Sequence, residues 1–160
     1  MTTQIPDRLR FNRRIHDLFS EPLESYFDDR HTKPKAFAVS CTACWRGYVA
    51  GWCIKRGKLY LEKLEPFCYG RPQAEEIEFT FDAASGVKVP TLPNYLTRVF
   101  PGVVTPVFAE WFSGELSYLW PKFYSGKLVS EWDALQAASV MQVEHGHIIE
   151  GAKYGAKSAL

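Results

Sequence analysis

Hydrophobic and polar positions alternate from the start of the chain. Leu9, Phe11 and Ile15 fall on one side of an extended backbone, and Arg8, Arg10 and Arg14 on the other. That two-residue period predicts a strand with one solvated face. Ser20 is placed to cap a short helix, with Pro22 in its first turn and Leu23, Tyr26 and Phe27 on its inner side. A polar stretch from Asp28 to Lys35 closes this first element.

From Ala36 to Leu64 the pattern is β. The runs Phe37 to Trp45 and Gly47 to Ile54 are rich in aromatic and β-branched residues. Lys55-Arg56-Gly57-Lys58 then reads as a hairpin connection, with Gly57 free to take a positive φ, and Leu59 to Leu64 as the returning strand. Ile77, Phe79 and Phe81 alternate with Glu78 and Thr80, which predicts a half-buried strand. Pro93 is suited to start a short helix carrying Tyr95, Leu96, Val99 and Phe100, ended by Pro101-Gly102. Val107 to Tyr118 reads as a further strand with a bulge at Gly114, and Trp120 to Gln136 fits neither period. Ser139 to Val143 and Ile148 to Glu150 predict a second hairpin turning at His145-Gly146.

So few and such short helices leave no carriers for parallel crossovers, which predicts an antiparallel sheet. The fold class expected is α+β, mainly antiparallel β, arranged as a sandwich or open barrel with one or two short helices. No internal repeat or linker interrupts the chain. Residues 1–150 are expected to form a single mostly-β domain, and 151–160 (GAKYGAKSAL) a flexible C-terminal tail.

Composition supports that reading. A chain of 160 residues buries roughly 70% of its unfolded surface, enough for an unstapled core. Aromatics at 15% favour pleated, half-buried surfaces. The net charge of +1 supplies no field to draw nucleic acid or an anionic membrane. No stretch of about 20 apolar residues predicts a span, and the basic N-terminus lacks the apolar core of a signal peptide. A cytoplasmic location is expected, where the four cysteines stay as thiols.

Three motifs carry a resemblance. Trp45-Arg46-Gly47-Tyr48-Val49-Ala50-Gly51-Trp52 has the pattern W-R-G-Y-V-x-x-W, Lys58-Leu59-Tyr60-Leu61 is K-L-Y-L, and Phe108-Ala109-Glu110-Trp111-Phe112-Ser113-Gly114 matches F-A-D/E-W-F-S-G. With Pro22-Leu23-Glu24-Ser25-Tyr26-Phe27 and in this order, they resemble a family of small bacterial proteins to which no activity is attached. The resemblance covers about residues 5 to 150 and implies bacterial or phage origin and a shared fold; Ser117 to Ala138 departs from the family's pattern.

Candidate chemistry is sparse. Cys41-Thr42-Ala43-Cys44, with Cys53 and Cys68, has the donors of a four-thiolate zinc site. On a strand, however, residues three apart face opposite sides, and no Gly or Pro supplies a turn. Buried thiols acting as small hydrophobes are expected instead, with no metal and no cofactor. His145-Gly146-His147 lacks a third ligand, and Gly151 to Ser158 imitates a phosphate loop without the strand and helix that one needs. Neither Ser85 nor Ser113 sits in a nucleophile elbow.

One cluster remains: Trp45, Arg46, Tyr48 and Trp52 on one predicted strand, Glu110 and Trp111 on another. Aromatic density predicts that the two strands are neighbours. In one reading the Trp residues are core and Arg46 pairs with Glu110. In the other, Arg and aromatics line a pocket or a partner-facing patch. The function expected is a non-enzymatic protein-interaction module, an inhibitor or immunity-type partner of another protein. The alternatives are a small-molecule or carbohydrate-binding β domain, or an unrecognised enzyme using a Cys. A pocket above about 300 Å³ holding titratable groups would favour the alternatives.

Overall fold

Three hairpins are built on one turn geometry. In a computed structural model, which describes residues 4–38, 42–67, 78–91, 95–120 and 138–151, strands β1 (Asp7–Phe11) and β2 (Arg14–Leu18) meet at Asn12-Arg13. Strands β3 (Tyr48–Lys55) and β4 (Lys58–Pro66) meet at Arg56-Gly57. Further on, β9 (Ser139–Glu144) and β10 (His147–Glu150) meet at His145-Gly146. Both residues of every pair have positive φ, between 46° and 81°. Such turns match the natural twist of paired strands. The last two hairpins lie where the sequence predicts them. The first divides what reads as a single strand, and Ile15, expected inward beside Leu9, is 58% exposed.

The remaining elements are β5 (Glu78–Asp82) and β6 (Val87–Thr91), which form a separate two-stranded ribbon, helix α1 (Tyr95–Val99), β7 (Val107–Phe108) and β8 (Gly114–Leu119). Helix α1 is the short helix predicted after Pro93. The expected strand from Val107 to Tyr118 is two strands, β7 and β8, separated by a turn closed by Phe112 N donating to Ala109 O. Gly114, the expected bulge, is the first residue of β8.

Following the hydrogen bonds gives the order β1-β2-β8-β9-β10-β4-β3, and β3 pairs back with β1. Seven strands thus close a barrel, which leaves its strands without free edges. The fold is mainly antiparallel β with one short α-helix among the described residues, of the class predicted, and the barrel is closed. Among the described residues its one parallel pair is β1–β3. The connection it requires runs through β2 and a stretch whose described residues hold one 3-10 turn, at Lys35–Phe37, and no α-helix.

Other local expectations change for stated reasons. Ser20 caps no helix: its Oγ donates to Glu115 O and accepts from Ser117 N, tying the segment after β2 to β8. Residues 22–26 instead form consecutive turns, in which Glu24 N donates to Glu21 O and Tyr26 N to Leu23 O. The described part of the predicted strand Phe37 to Trp45 is also turn and coil. Gly47, at φ +80°, explains part of this: a Cβ there would sit 1.8 Å from Phe37 O, so the chain folds back on itself just before β3.

The barrel interior is filled by Leu9, Leu18, Trp52, Leu59, Leu61 and Met141, all nearly inaccessible. A bulge opposite Gly51 and Trp52 shifts the register of β4, so that Leu64 follows Leu59 and Leu61 inward. Glu62 lies at that shift, faces outward, and takes Arg10 through two nitrogens, at 3.0 and 2.7 Å. Of the predicted tail 151–160, residues 152–160 lie outside the described residues. No helix of the described residues is long and apolar enough to cross a membrane.

Candidate binding site

The six residues singled out by sequence do not form one patch. Trp45, on the turn before β3, is 65% exposed, and its backbone amide donates to Gln4 Oε1. Arg46, Tyr48 and Trp52 are inside the protein. On the turn after β7, Glu110 is exposed and Trp111 is half-buried against the core. The two predicted strands are not direct neighbours, because β4 lies between β3 and β7. Side chains still meet across that gap, with the Trp52 and Trp111 ring centroids 6.3 Å apart.

Arg46 does not pair with Glu110. Its Nε and Nη2 donate to Asp7 Oδ1 at 3.1 and 2.7 Å, and both side chains are buried. The Ala50 amide donates to the same oxygen at 3.0 Å, and Trp52 Nε1 donates to Oδ2 at 3.2 Å. Every group named here that faces the carboxylate is a donor, the environment of an ionised acid. Burial pushes the Asp7 carboxyl above its ordinary value, while Arg46, the Ala50 amide and Trp52 pull it back. A signal for this was present in the sequence: Asp7, Leu9 and Phe11 share one face of β1. This network ties β1 to β3 where the barrel closes, and its partners are too enclosed to meet a ligand.

A second cluster forms where segments distant in sequence converge. Tyr26 from the turns after β2, Phe100 just beyond α1, and Trp111 have ring centroids 4.6, 5.0 and 5.4 Å apart. These rings form one wall of an open cleft of about 530 Å³. Val103, Val107 and Phe108 make an apolar side. Ser25, Asp28, His31 and Glu110 supply the polar atoms.

The cleft's polar side has a definite construction. Asp28 Oδ1 accepts the backbone amides of Arg30 and His31 at 2.8 and 3.0 Å, and His31 Nδ1 lies 3.3 Å away. The Arg30 amide, with the smaller help of His31, holds the Asp28 carboxyl below its usual value. The His31 ring stacks on Tyr26 at 4.0 Å, and burial with the nearby Asp28 raises the Tyr26 phenol. Ser25 Oγ and Trp111 Nε1 both donate to Pro22 O, at 2.8 and 3.0 Å. Glu110 is exposed and enters no ion pair among the described residues.

Sequence reasoning placed Glu110 and Trp111 in a candidate site and missed Tyr26, Asp28, His31 and Phe100. The P-L-E-S-Y-F stretch was noted for its motif alone, and nothing local joins it to residues 100–111.

Both described cysteines are buried. Cys44 Sγ donates to Tyr48 O, while burial and the nearby Glu62 push the Cys53 thiol up to about 11. Cys41 and Cys68 lie outside the described residues. Among the described residues no group of three His, Cys, Asp or Glu side chains is placed to hold a metal ion. His147 packs edge-on against Phe108. Fold and cleft together define a closed, mainly antiparallel barrel carrying an open aromatic cleft. No family model, curated protein sequence or solved structure matches the chain.

Proposed function

We propose that this chain is a non-enzymatic small-ligand-binding β domain whose ligand lies against Tyr26, Phe100 and Trp111. The cleft carries the proposal: at about 530 Å³ it falls within the range of small-molecule sites, and it joins an apolar wall to a few polar groups. The buried Cys44 and Cys53 thiols weigh against the reading as a cysteine enzyme. A cytoplasmic setting, away from membranes and nucleic acid, goes with this function. Titration calorimetry against a panel of small cations, sugars and acids tests it. Binding by the wild type that is lost in Trp111→Ala is the expected result, and no binding by any member at millimolar concentration refutes it.

A second reading, the inhibitor or immunity-type protein module of a bacterial family, is favoured by Trp45. A side chain of this type at 65% exposure is what a protein interface uses as an anchor. Its test is a bacterial partner protein that the purified wild type retains and Trp45→Ala loses. Retention of every partner by the variant removes Trp45 from the argument.

A further inference from the structure

We infer that the cleft recognises an organic cation, an alkylated ammonium group carrying an apolar arm; this rests on the small-ligand reading above. The first reason is the wall. Tyr26, Phe100 and Trp111 pack together along the cleft. Phe100 is buried and Tyr26 carries the His31 ring, so the cation is assigned to Trp111, the ring type whose negative face attracts one most strongly.

The second reason is charge. The two acidic side chains of the lining are Asp28 and Glu110, and no Lys or Arg lines it. Asp28 is already held by the Arg30 and His31 amides and faces the His31 ring. Glu110, exposed and without an ion pair among the described residues, is the carboxylate that meets the ligand's charge.

The third reason is the direction of the donors. A neutral sugar or an anion needs N–H and O–H groups aimed into the cleft. Two of the lining's donors, the Ser25 hydroxyl and the Trp111 indole N–H, instead donate to Pro22 O, which leaves the Tyr26 hydroxyl and the His31 ring. A quaternary ammonium asks for none of these donors and is satisfied by ring faces and a carboxylate. The cleft is also larger than a trimethylammonium head, and Val103, Val107 and Phe108 form an apolar side on which an arm can lie.

The experiment compares choline and benzyltrimethylammonium with 3,3-dimethyl-1-butanol, the uncharged isostere of choline, and with glucose, by titration calorimetry. Choline should bind about tenfold or more tightly than its isostere, because only the charge differs. Benzyltrimethylammonium should bind more tightly than choline. Glu110→Gln should weaken both cations roughly tenfold while leaving the melting temperature in place, since Glu110 is exposed. Equal affinity for choline and 3,3-dimethyl-1-butanol, or unchanged cation binding by Glu110→Gln, overturns the inference and leaves the binding reading standing. Glucose binding without cation binding does the same. No binding by any of the four compounds overturns the inference, and the binding reading falls with it only if the wider panel of cations, sugars and acids also fails to bind.

Discussion

Arg46→Ala tests how the barrel is closed. The substitution removes two hydrogen bonds and the positive charge from Asp7, and leaves a buried carboxylate with only the Ala50 amide and Trp52 Nε1 as donors. Removing one partner of a buried ion pair costs about 3–5 kcal/mol, since the remaining charge is uncompensated. For a chain of this length each kcal/mol lowers Tm by about 2–4 °C, so the expected fall is roughly 6–20 °C. The loss should depend on pH in a definite direction. The Asp7 carboxyl is already raised by burial, and loss of Arg46 raises it further. A carboxyl whose folded pKa lies above its unfolded value stabilises the fold most below that unfolded value, and the contribution fades as pH climbs through the folded pKa. The variant's deficit should therefore be largest at neutral pH and shrink towards pH 4. Thermal melts by circular dichroism across pH 4–8, with Glu110→Ala as control, provide the measurement. The control should melt within about 0.5 kcal/mol of wild type, because Glu110 is exposed and does not touch Arg46. An Arg46→Ala protein that melts like wild type, or a Glu110→Ala protein that loses as much as Arg46→Ala, would refute the reasoning.

Two further predictions concern glycine and thiol positions. Gly47→Ala should be severe, above about 4 kcal/mol, because the new Cβ lands on Phe37 O at 1.8 Å, whereas Gly57→Ala meets open space and should cost only the ~1–2 kcal/mol of its positive φ. Comparable denaturant midpoints for the two variants would contradict that ordering. Cys44 and Cys53 should resist a maleimide or disulfide reagent at pH 8 in the native protein and react fully in denaturant, as read by mass mapping of the labelled peptides; native labelling of Cys53 would show that burial does not hold its thiol protonated.

The sequence by itself determined the local elements. Arg56-Gly57 and His145-Gly146, each between alternating runs, set two hairpins because turn chemistry depends on two residues and their immediate neighbours. Pro93 and the spacing of Tyr95 and Leu96 marked the helix on the same local grounds. Leu59 to Leu64 was legible as the returning strand, but Leu64 breaks the two-residue period of Leu59 and Leu61, and the bulge that keeps it inward needs β3 beside it. Two signals were present and went unread: Asn12, a residue that tolerates positive φ, marks the first hairpin, and the period of two puts Asp7 on the face of Leu9.

Tertiary structure alone decided the rest. Arg46 finds Asp7, 39 residues away, instead of Glu110, because closing the ring sets β3 parallel to β1 and interposes β4 before β7. The cleft exists only because residues 25–31 and 100–111 pack together, with Trp111 Nε1 reaching Pro22 O across 89 positions. Periodicity shows which way a side chain points along its own strand. It carries no information on which distant strand will pair with it, because that choice is made by the whole closed barrel, where strand order and packing of the shared core must be satisfied together.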